Sequence, residues 1–194
     1  MAYSNSNEWG ALQPCWINLQ GASPDDYIYV TDYGTKITSQ NGNNGKKMNG
    51  FLKGSTGIDA QFHISFKLGY QWGWSIFYMA NVKAISSTTG VVTAGDWNTS
   101  GYNGMGFWNN NSNNKLYVDK SVSGTSTRIL DTTGINDTKI DLWRESDNGV
   151  FYRITGGNAV EVGTFTDDFC FYSIAQSPHS VEILTAYNVS RKIS

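Results

Sequence analysis

The sequence contains few charged residues and few of the residues that build metal, disulfide or hydrolytic sites. Only 15% of its 194 residues are charged, the formal net charge is −2, and there are two cysteines and two histidines. Because nucleic-acid binding needs a basic patch and none is visible, no nucleic-acid partner is expected. Cys15 and Cys170 are too few for a cysteine-rich framework or a zinc site, while a single disulfide between them stays open.

Long apolar runs are also missing. No stretch approaches the roughly 20 apolar residues of a membrane-spanning helix, so no membrane insertion is expected. Residues 1–8 have neither a basic start nor an apolar run, which predicts that no signal peptide is present. Either Met1 begins an excised piece, or the protein reaches an extracellular or virion surface without a secretion signal.

Aromatic and uncharged polar residues replace the missing charge. Aromatic residues make up 14% of the chain, 21 residues are glycine, and hydrophobic residues reach 39%. That hydrophobic share is enough for one core, because each aromatic side chain buries a large area. The composition is typical of extracellular β-proteins and of surfaces that contact neutral ligands. We expect one β-sandwich domain over 1–194, with its core roughly at 16–190.

Alternation of apolar and polar residues predicts β-strands. The clearest pattern is a three-stranded antiparallel meander over 138–165, with turns at 147–149 and 156–158. In contrast, 39–57 is rich in Gly, Asn and Lys and is expected to form a long surface excursion. No segment of a dozen residues has helical spacing. Further strands are expected at 62–68, 74–79 and 180–189.

The charged residues of the meander are expected on a solvated or cross-strand-paired face. The acids among them lack the spacing that catalysis requires, so the meander is interpreted as scaffold. These charged residues are Lys139, Asp141, Arg144, Glu145 and Arg153.

Four stretches carry a resemblance to a known superfamily: 62–66, 104–107, 140–154 and 181–184. In strand order and spacing they resemble the concanavalin A-like lectin/glucanase superfamily, which includes laminin-G-like and legume-lectin-like domains. The resemblance implies an all-β, antiparallel jelly-roll β-sandwich whose mid-chain hairpin precedes a final strand that pairs near the first. Such domains are common in adhesins, phage and viral receptor-binding proteins and carbohydrate-binding modules, and the fold alone does not fix an activity.

The chain departs from that superfamily in its acidic residues. The glucanases carry Glu-x-Asp-x-x-Glu on one strand, whereas Glu145 and Glu161 stand alone here, so no enzyme activity is expected. Ser65 lies two residues from His63 without a Gly-x-Ser-x-Gly elbow, so nucleophilic catalysis is not expected. His63 is on the polar face of its strand and is expected to be simply exposed. Legume-type lectins bind calcium through a clustered Asp/Asn loop. Residues 131–137 have the oxygen ligands without a recognisable loop pattern, so no cofactor is expected and calcium is the alternative.

A ligand site is predicted on the loops around 96–111. Sugar recognition uses a flat aromatic ring, with Asn, Asp and backbone groups binding the hydroxyls, and binding residues concentrate on loops. Because Trp and Tyr also fill the core of any sandwich, each aromatic has a core role as its alternative. The predicted ligand-binding residues are Asp96, Trp97, Asn98, Tyr102, Asn103, Trp108, Asn109 and Trp72.

The sequence therefore predicts a non-catalytic module that binds a neutral glycan. Its partner would be a glycan or a cell-surface receptor, and its role that of an adhesin or receptor-binding domain. The alternative is a structural viral or phage spike, fibre or capsid domain whose aromatics pack subunits into a homo-oligomer. In that case Trp97 and Trp108 would be buried between subunits. A glycoside hydrolase ranks third.

Overall fold

The computed structural model is a sandwich of two antiparallel β-sheets. No helix occurs in the described part of the chain, and hence none long and apolar enough to span a membrane. The structure describes residues 10–11, 14–19, 28–31, 36–39, 47–52, 61–68, 74–85, 92–94, 100–110, 114–133, 138–167, 169–175 and 180–189.

These residues form sixteen strands. In chain order they are β1 (Gly10–Ala11), β2 (Pro14–Leu19), β3 (Ile28–Thr31), β4 (Lys36–Ser39), β5 (Lys47–Leu52), β6 (Gln61–Leu68), β7 (Trp74–Ile85), β8 (Val92–Ala94), β9 (Gly104–Asn110), β10 (Lys115–Val122), β11 (Thr125–Thr133), β12 (Lys139–Arg144), β13 (Gly149–Ile154), β14 (Val160–Thr164), β15 (Phe169–Ala175) and β16 (Ser180–Val189).

In the described part of the chain, each sheet contains eight strands. The first sheet has the order β14-β13-β12-β6-β16-β4-β3, with β1 also pairing with β16. The second has the order β11-β10-β9-β7-β15-β5-β2, with β8 pairing with β7. Gly10 lies opposite Asn188, so the last strand pairs with the first, as the resemblance implies. One expectation was wrong: part of 39–57 is β5, which pairs with β15 and β2 inside the second sheet.

The predicted meander is confirmed as β12, β13 and β14. Leu142 lies opposite Tyr152 in the first pair, and Gly149 lies opposite Thr164 in the second. The first turn contains Asn148 with a φ of 65°, a conformation that Asn tolerates better than most residues. Asp147 supports this turn by accepting a 3.0 Å hydrogen bond from the Gly149 backbone N–H to its Oδ1.

The core lies between the sheets and is centred on aromatic contacts. Phe66 of β6 packs 4.2 Å from Phe77 and 5.2 Å from Phe107, measured between ring centroids. Phe107 in turn meets Tyr152 edge to face at 5.9 Å. Each such pair contributes about 0.5–1.5 kcal/mol beyond the area it buries, and these pairs join β6 and β13 of one sheet to β7 and β9 of the other.

Arg144 corrects the expectation of a solvated charged face. Its side chain shares the inward face of β12 with Leu142, and its exposed fraction is 0%. The guanidinium Nη1 donates hydrogen bonds to the carbonyl oxygens of Phe165 (3.3 Å) and Asp167 (2.8 Å). Its Cζ also lies 5.2 Å from the ring centroid of Phe169. These contacts compensate the cost of burying the charge, and they tie β12 to the segment that leads into β15.

Gly104, at the start of β9, generates a stability prediction. Its φ is +153°, and a Cβ atom at this position would lie 1.9 Å from the Met79 carbonyl oxygen. Gly104→Ala should therefore lower the free energy of unfolding by about 3 kcal/mol, because relief of the clash requires breaking the pairing of β7 with β9. Denaturant unfolding measures the loss.

Gly156→Ala is the matched control. Gly156 also has a positive φ (+80°), but no atom lies within 4 Å of the position that a Cβ would occupy there. Only backbone strain of about 1 kcal/mol is expected from this substitution. Equal losses in the two variants would contradict the steric explanation at Gly104.

Candidate functional site

The predicted ligand-binding residues fall into two groups. Asp96, Trp97, Asn98 and Trp72 lie outside the described residues. Tyr102, Asn103, Trp108 and Asn109 lie in or beside β9, and the structure places their side chains in different surroundings.

Tyr102 is an interior residue. Its exposed fraction is 0%, and its hydroxyl donates a 3.2 Å hydrogen bond to the Met79 carbonyl oxygen. The core role that was the alternative for each aromatic therefore applies to Tyr102. A ligand on the surface does not reach this ring, which corrects the predicted site.

Asn109 also faces the interior, with an exposed fraction of 1%. It follows Trp108 along β9, and successive side chains of a strand point to opposite faces. Among the described residues, its side-chain nitrogen and oxygen have no hydrogen-bond partner. Asn109 is therefore not a surface contact for a ligand, a second correction to the predicted site.

Asn103 connects neighbouring loops. Its Nδ2 donates to Asp167 Oδ2 at 3.0 Å, and its Oδ1 accepts a 2.8 Å hydrogen bond from the Ser123 backbone N–H. Its own backbone N–H donates to Asn81 Oδ1 at 3.0 Å. Two of the four hydrogen bonds that this side chain can make therefore help to hold the end of β9 in place.

Trp108 lies half-buried on the outer face of the second sheet. Its ring meets Tyr78 edge to face, with the centroids 5.7 Å apart. A Cβ at Gly106 would lie 2.8 Å from Trp108 Nε1 and 2.8 Å from Tyr78 Cε1. The absence of a side chain at Gly106 therefore lets the indole lie along β9 over the backbone.

Polar and aromatic groups surround Trp108 on the neighbouring strands. Tyr117 of β10 lies directly opposite it, and the Arg128 guanidinium stands 3.9 Å from the Tyr117 ring centroid. Arg128 also donates two hydrogen bonds to Asp119, from Nε to Oδ1 (2.8 Å) and from Nη2 to Oδ2 (3.2 Å). The name Trp108 surface is used below for the half-buried Trp108 and Tyr117 and the exposed Arg128, together with the buried Tyr78, Gly106 and Asp119 that they contact or lie beside.

A second polar cluster, absent from the predicted site, centres on Asp141 on the outer face of the first sheet. Its carboxylate accepts hydrogen bonds from Ser65 Oγ and from Arg153 Nη2 (2.9 Å). Lys139 Nζ lies 3.2 Å and His63 Nε2 lies 3.6 Å from Asp141 Oδ1. The expectation of a cross-strand-paired face is therefore confirmed for Asp141 and Arg153, while Lys139 pairs with Asp141 on its own strand.

Burial and hydrogen bonding shift two pKa values in this cluster. Burial by itself would raise the pKa of Asp141, but hydrogen bonds from Ser65, Arg153 and Lys139 outweigh it and hold the pKa below its ordinary value. Burial lowers the pKa of His63, against the opposing attraction of Asp141. At neutral pH the cluster therefore holds an ionised Asp141 and an uncharged His63.

Trp143 lies half-buried beside this cluster. Its ring stacks on Phe151 of β13, with the centroids 5.6 Å apart and the planes 13° from parallel. Its Nε1–H donates a 3.1 Å hydrogen bond to Glu145 Oε1. The sequence contained a signal for this residue, because a large aromatic occupied a position that the alternation of β12 assigned to the charged, outward face.

The outer face of the first sheet contains a groove beside Trp143 with a volume of about 460 Å³. It runs over the start of β6, over β12 and the turn that follows, and over β13. Its lining residues are Gln61, His63, Trp143, Arg144, Glu145, Ser146 and Arg153.

A metal site is not indicated by the residues that the structure describes. Among them, no three His, Cys, Asp or Glu side chains converge in a way that could hold an ion. Asp131, the first residue of the proposed calcium loop, already binds Lys115 Nζ through both carboxylate oxygens, at 2.9 and 3.2 Å. Residues 134–137 of that loop lie outside the described residues.

Comparison with solved structures identifies the fold. The potassium-bound carbohydrate recognition domain of Emp46p is similar over 96% of this chain and 100% of that domain, with a TM-score of 0.56 and 14% identity. The PSpry domain of TRIM65 is similar over 90% and 92%, with a TM-score of 0.56 and 6% identity. The exoplasmic/lumenal domain of VIP36 bound to Ca²⁺ and Man3GlcNAc is similar over 87% and 83%, with a TM-score of 0.50 and 11% identity.

These similarities, together with the two antiparallel sheets, show that the chain has the concanavalin A-like jelly-roll fold. This confirms the fold expected from strand order and spacing. At such low identities the similarity defines the fold alone. No protein-family model and no curated protein compared with the sequence gives a match.

The Asp141 cluster generates a pH prediction. Because the folded pKa of Asp141 lies below its unfolded value of about 3.9, its contribution to stability is present above that value and is lost as the pH falls through the folded pKa. Asp141→Asn should lower the free energy of unfolding by about 2 kcal/mol at pH 7. This difference should shrink as the pH falls below about 4.

The Asp141→Asn variant and the protein that it is compared with should both carry His63→Gln. His63 lies against the same carboxylate, and its own titration would otherwise overlap with that of Asp141. Denaturant unfolding at a series of pH values measures the difference. A difference that stays constant from pH 7 to pH 2.5 would show that the charge of Asp141 contributes nothing.

Proposed function

We propose that this chain is a carbohydrate-binding module that recognises a neutral glycan without chemical turnover. The Trp108 surface carries the proposal, because it places a half-buried indole on the outer face of the second sheet, opposite Tyr117 and near a paired acid and base. The Emp46p domain is named a carbohydrate recognition domain, and the VIP36 domain was solved with a mannose-containing glycan. A shared fold makes the same role available to this chain.

The chemistry of the Trp108 surface suits an uncharged polyhydroxyl ligand. An indole offers an apolar face of the size of a sugar ring, and the hydroxyls of a sugar need donors and acceptors around it. The phenol of Tyr117 can act as donor and acceptor, and Arg128 has N–H groups beyond the two that bind Asp119. Because Arg128 and Asp119 neutralise each other, the surface gives no advantage to an ionic ligand.

The predicted loop residues complete this proposal. Asn103 precedes β9 and Trp108 lies five residues further on, which is about 16 Å along an extended strand. A ligand that contacts both Trp108 and Asn103 would therefore extend along β9, and Asp96, Trp97 and Asn98 are further proposed contacts. This favours an oligosaccharide over a single sugar unit, with Trp72 as a further proposed contact.

The biological setting is proposed on the same basis. A module that binds a neutral glycan without turnover fits an adhesin or a receptor-binding domain on a cell or virion surface, with a glycan-bearing receptor as its partner. The competing proposal is a viral or phage structural domain whose outward aromatics pack against further copies of the chain.

A glycan array tests this proposal. The wild-type protein should bind at least one neutral oligosaccharide, and Trp108→Ala and Trp97→Ala should each weaken binding at least ten-fold, or about 1.4 kcal/mol, because each removes an aromatic contact. Ile129→Ala is the matched control. Ile129 is an exposed apolar residue on β11 of the same sheet, so its truncation should leave binding unchanged.

Two results would reject the proposed site. One is binding that survives both tryptophan substitutions. The other is the absence of glycan binding combined with a stable oligomer, detected by light scattering, that Trp108→Ala dissociates. The second result would support the structural role instead, and release of sugar fragments would indicate a hydrolase.

A further inference from the structure

We propose that the outer face of the first sheet holds a second, independent saccharide-binding site in the groove beside Trp143. The inference rests on the proposed function only for the class of ligand, and it depends on different residues from the Trp108 surface. The module would then have two binding sites, one on the outer face of each sheet.

The shape of the groove suits a small ligand. Its volume of about 460 Å³ lies within the range of about 300–1,000 Å³ that is common for small-molecule sites. The floor is formed by paired strands: Trp143 lies opposite His63 on one side and opposite Phe151 on the other. Sites on paired strands hold their side chains more rigidly than sites on loops.

Trp143 is held in place before any ligand arrives. Its ring is fixed on one neighbour by the 5.6 Å stack on Phe151 and at its nitrogen by the hydrogen bond to Glu145. The His63 ring lies 5.9 Å from it, at 57°. A ring that is already immobilised loses little conformational entropy on binding, so more of the contact energy appears as affinity.

Donors and acceptors lie around this ring on two strands, β6 and β13, and on the turn that follows β12. Gln61 offers an amide that both donates and accepts, and Ser146 offers a hydroxyl. Glu145 has a second carboxylate oxygen beside the one that binds Trp143, and Arg153 has N–H groups beyond those that bind Asp141. This mixture matches vicinal hydroxyls, each of which both donates and accepts.

The charges around the groove select for a neutral ligand. Lys139 and Arg153 lie against Asp141, and Glu145 accepts a hydrogen bond from Trp143. The Arg144 guanidinium faces inward, where it donates to the carbonyl oxygens of Phe165 and Asp167. His63 adds no charge near neutral pH, because burial holds its pKa below the ordinary value. The charges that could attract an ionic ligand are already compensated within the protein, so they add little to its binding energy. The binding of an uncharged polyol does not depend on these charges.

The two sites cannot share one binding position. Trp143 points outward from β12 of the first sheet and Trp108 points outward from β9 of the second, with the hydrophobic core between them. Packed sheets lie about 10 Å apart, and the side chains add to that distance. One chain should therefore bind two saccharides at once, and substitution at one site should leave the other intact.

Nuclear magnetic resonance of ¹⁵N-labelled tryptophan tests the inference. The probes are neutral manno-, xylo-, gluco- and galacto-oligosaccharides, titrated one at a time into the full chain. The indole N–H signal of Trp143 is assigned by its loss in Trp143→Phe, and that of Trp108 by its loss in Trp108→Phe. At least one probe should shift the Trp143 signal in a saturable way in both wild type and Trp108→Ala.

Variants of the groove should weaken binding to it selectively. Glu145→Gln keeps a hydrogen-bond acceptor for Trp143 and should weaken saccharide binding in the groove several-fold. Trp143→Ala should weaken this binding at least ten-fold. Calorimetry measures the affinity and the stoichiometry for each variant. Leu184→Ala, an exposed apolar position on β16 of the same sheet, should change neither binding nor stoichiometry. Thermal unfolding confirms that each variant is folded.

The outcomes separate this inference from the proposed function. A probe that shifts Trp108 but never Trp143, or a Trp143 shift that disappears in Trp108→Ala, overturns the second site. A saturable Trp143 shift without any response at Trp108 supports saccharide binding in the groove and rejects the Trp108 surface as a binding site. If no neutral oligosaccharide shifts either signal, both are rejected.

Discussion

The contact of Phe66 with Phe77 and Phe107 across the sandwich determines which side of each paired strand faces solvent. Phe66 belongs to β6 and the other two belong to β7 and β9, so this contact orients both sheets at once. Side chains alternate along a strand, and pairing transmits that alternation to neighbouring strands. The inward and outward positions on the other paired strands therefore follow. Asn109 faces inward and Trp108 outward for this reason, and a one-residue slip in β9 would exchange them.

Strand β12 shows how the same alternation separates two ways of accommodating charge. Arg144 faces inward, where two backbone carbonyls and aromatic rings replace water around its guanidinium. Asp141 faces outward and is still buried, because Ser65, Lys139, Arg153 and His63 close around it. Both groups are costly to bury unpaired, so each fixes its surroundings to one arrangement. The strand that was interpreted as scaffold therefore also carries an extensively paired polar cluster.

The sequence predicts those parts of the fold in which apolar alternation is strong. The meander of β12 to β14 and the strand β6 have clear period-two patterns, and the structure confirms them. β5 was missed because Lys47–Leu52 mixes Lys, Asn and Gly with three apolar residues, so its sequence shows no clear alternation. Its hydrogen-bonded pairing with β15 and β2 holds it in the sheet. Tyr102 was misplaced because a loop position has no alternation, so composition alone cannot tell a surface aromatic from one whose hydroxyl reaches a buried carbonyl.

The groove could have been recognised from one anomaly in the sequence. Trp143 shares its face of β12 with Lys139 and Asp141, and an indole on this outer face does not pack in the core. A large aromatic at a solvent-facing position leaves apolar surface exposed unless neighbouring side chains or a ligand cover it. Phe151 covers part of Trp143 and Glu145 satisfies its nitrogen, yet the groove beside the ring stays open. The same reasoning applies to Trp108, whose indole lies over Gly106 where a larger side chain would push it away from the sheet. In both cases the surrounding residues hold a half-buried ring in one position on the outside of the sandwich, an arrangement that suits a binding surface better than a core.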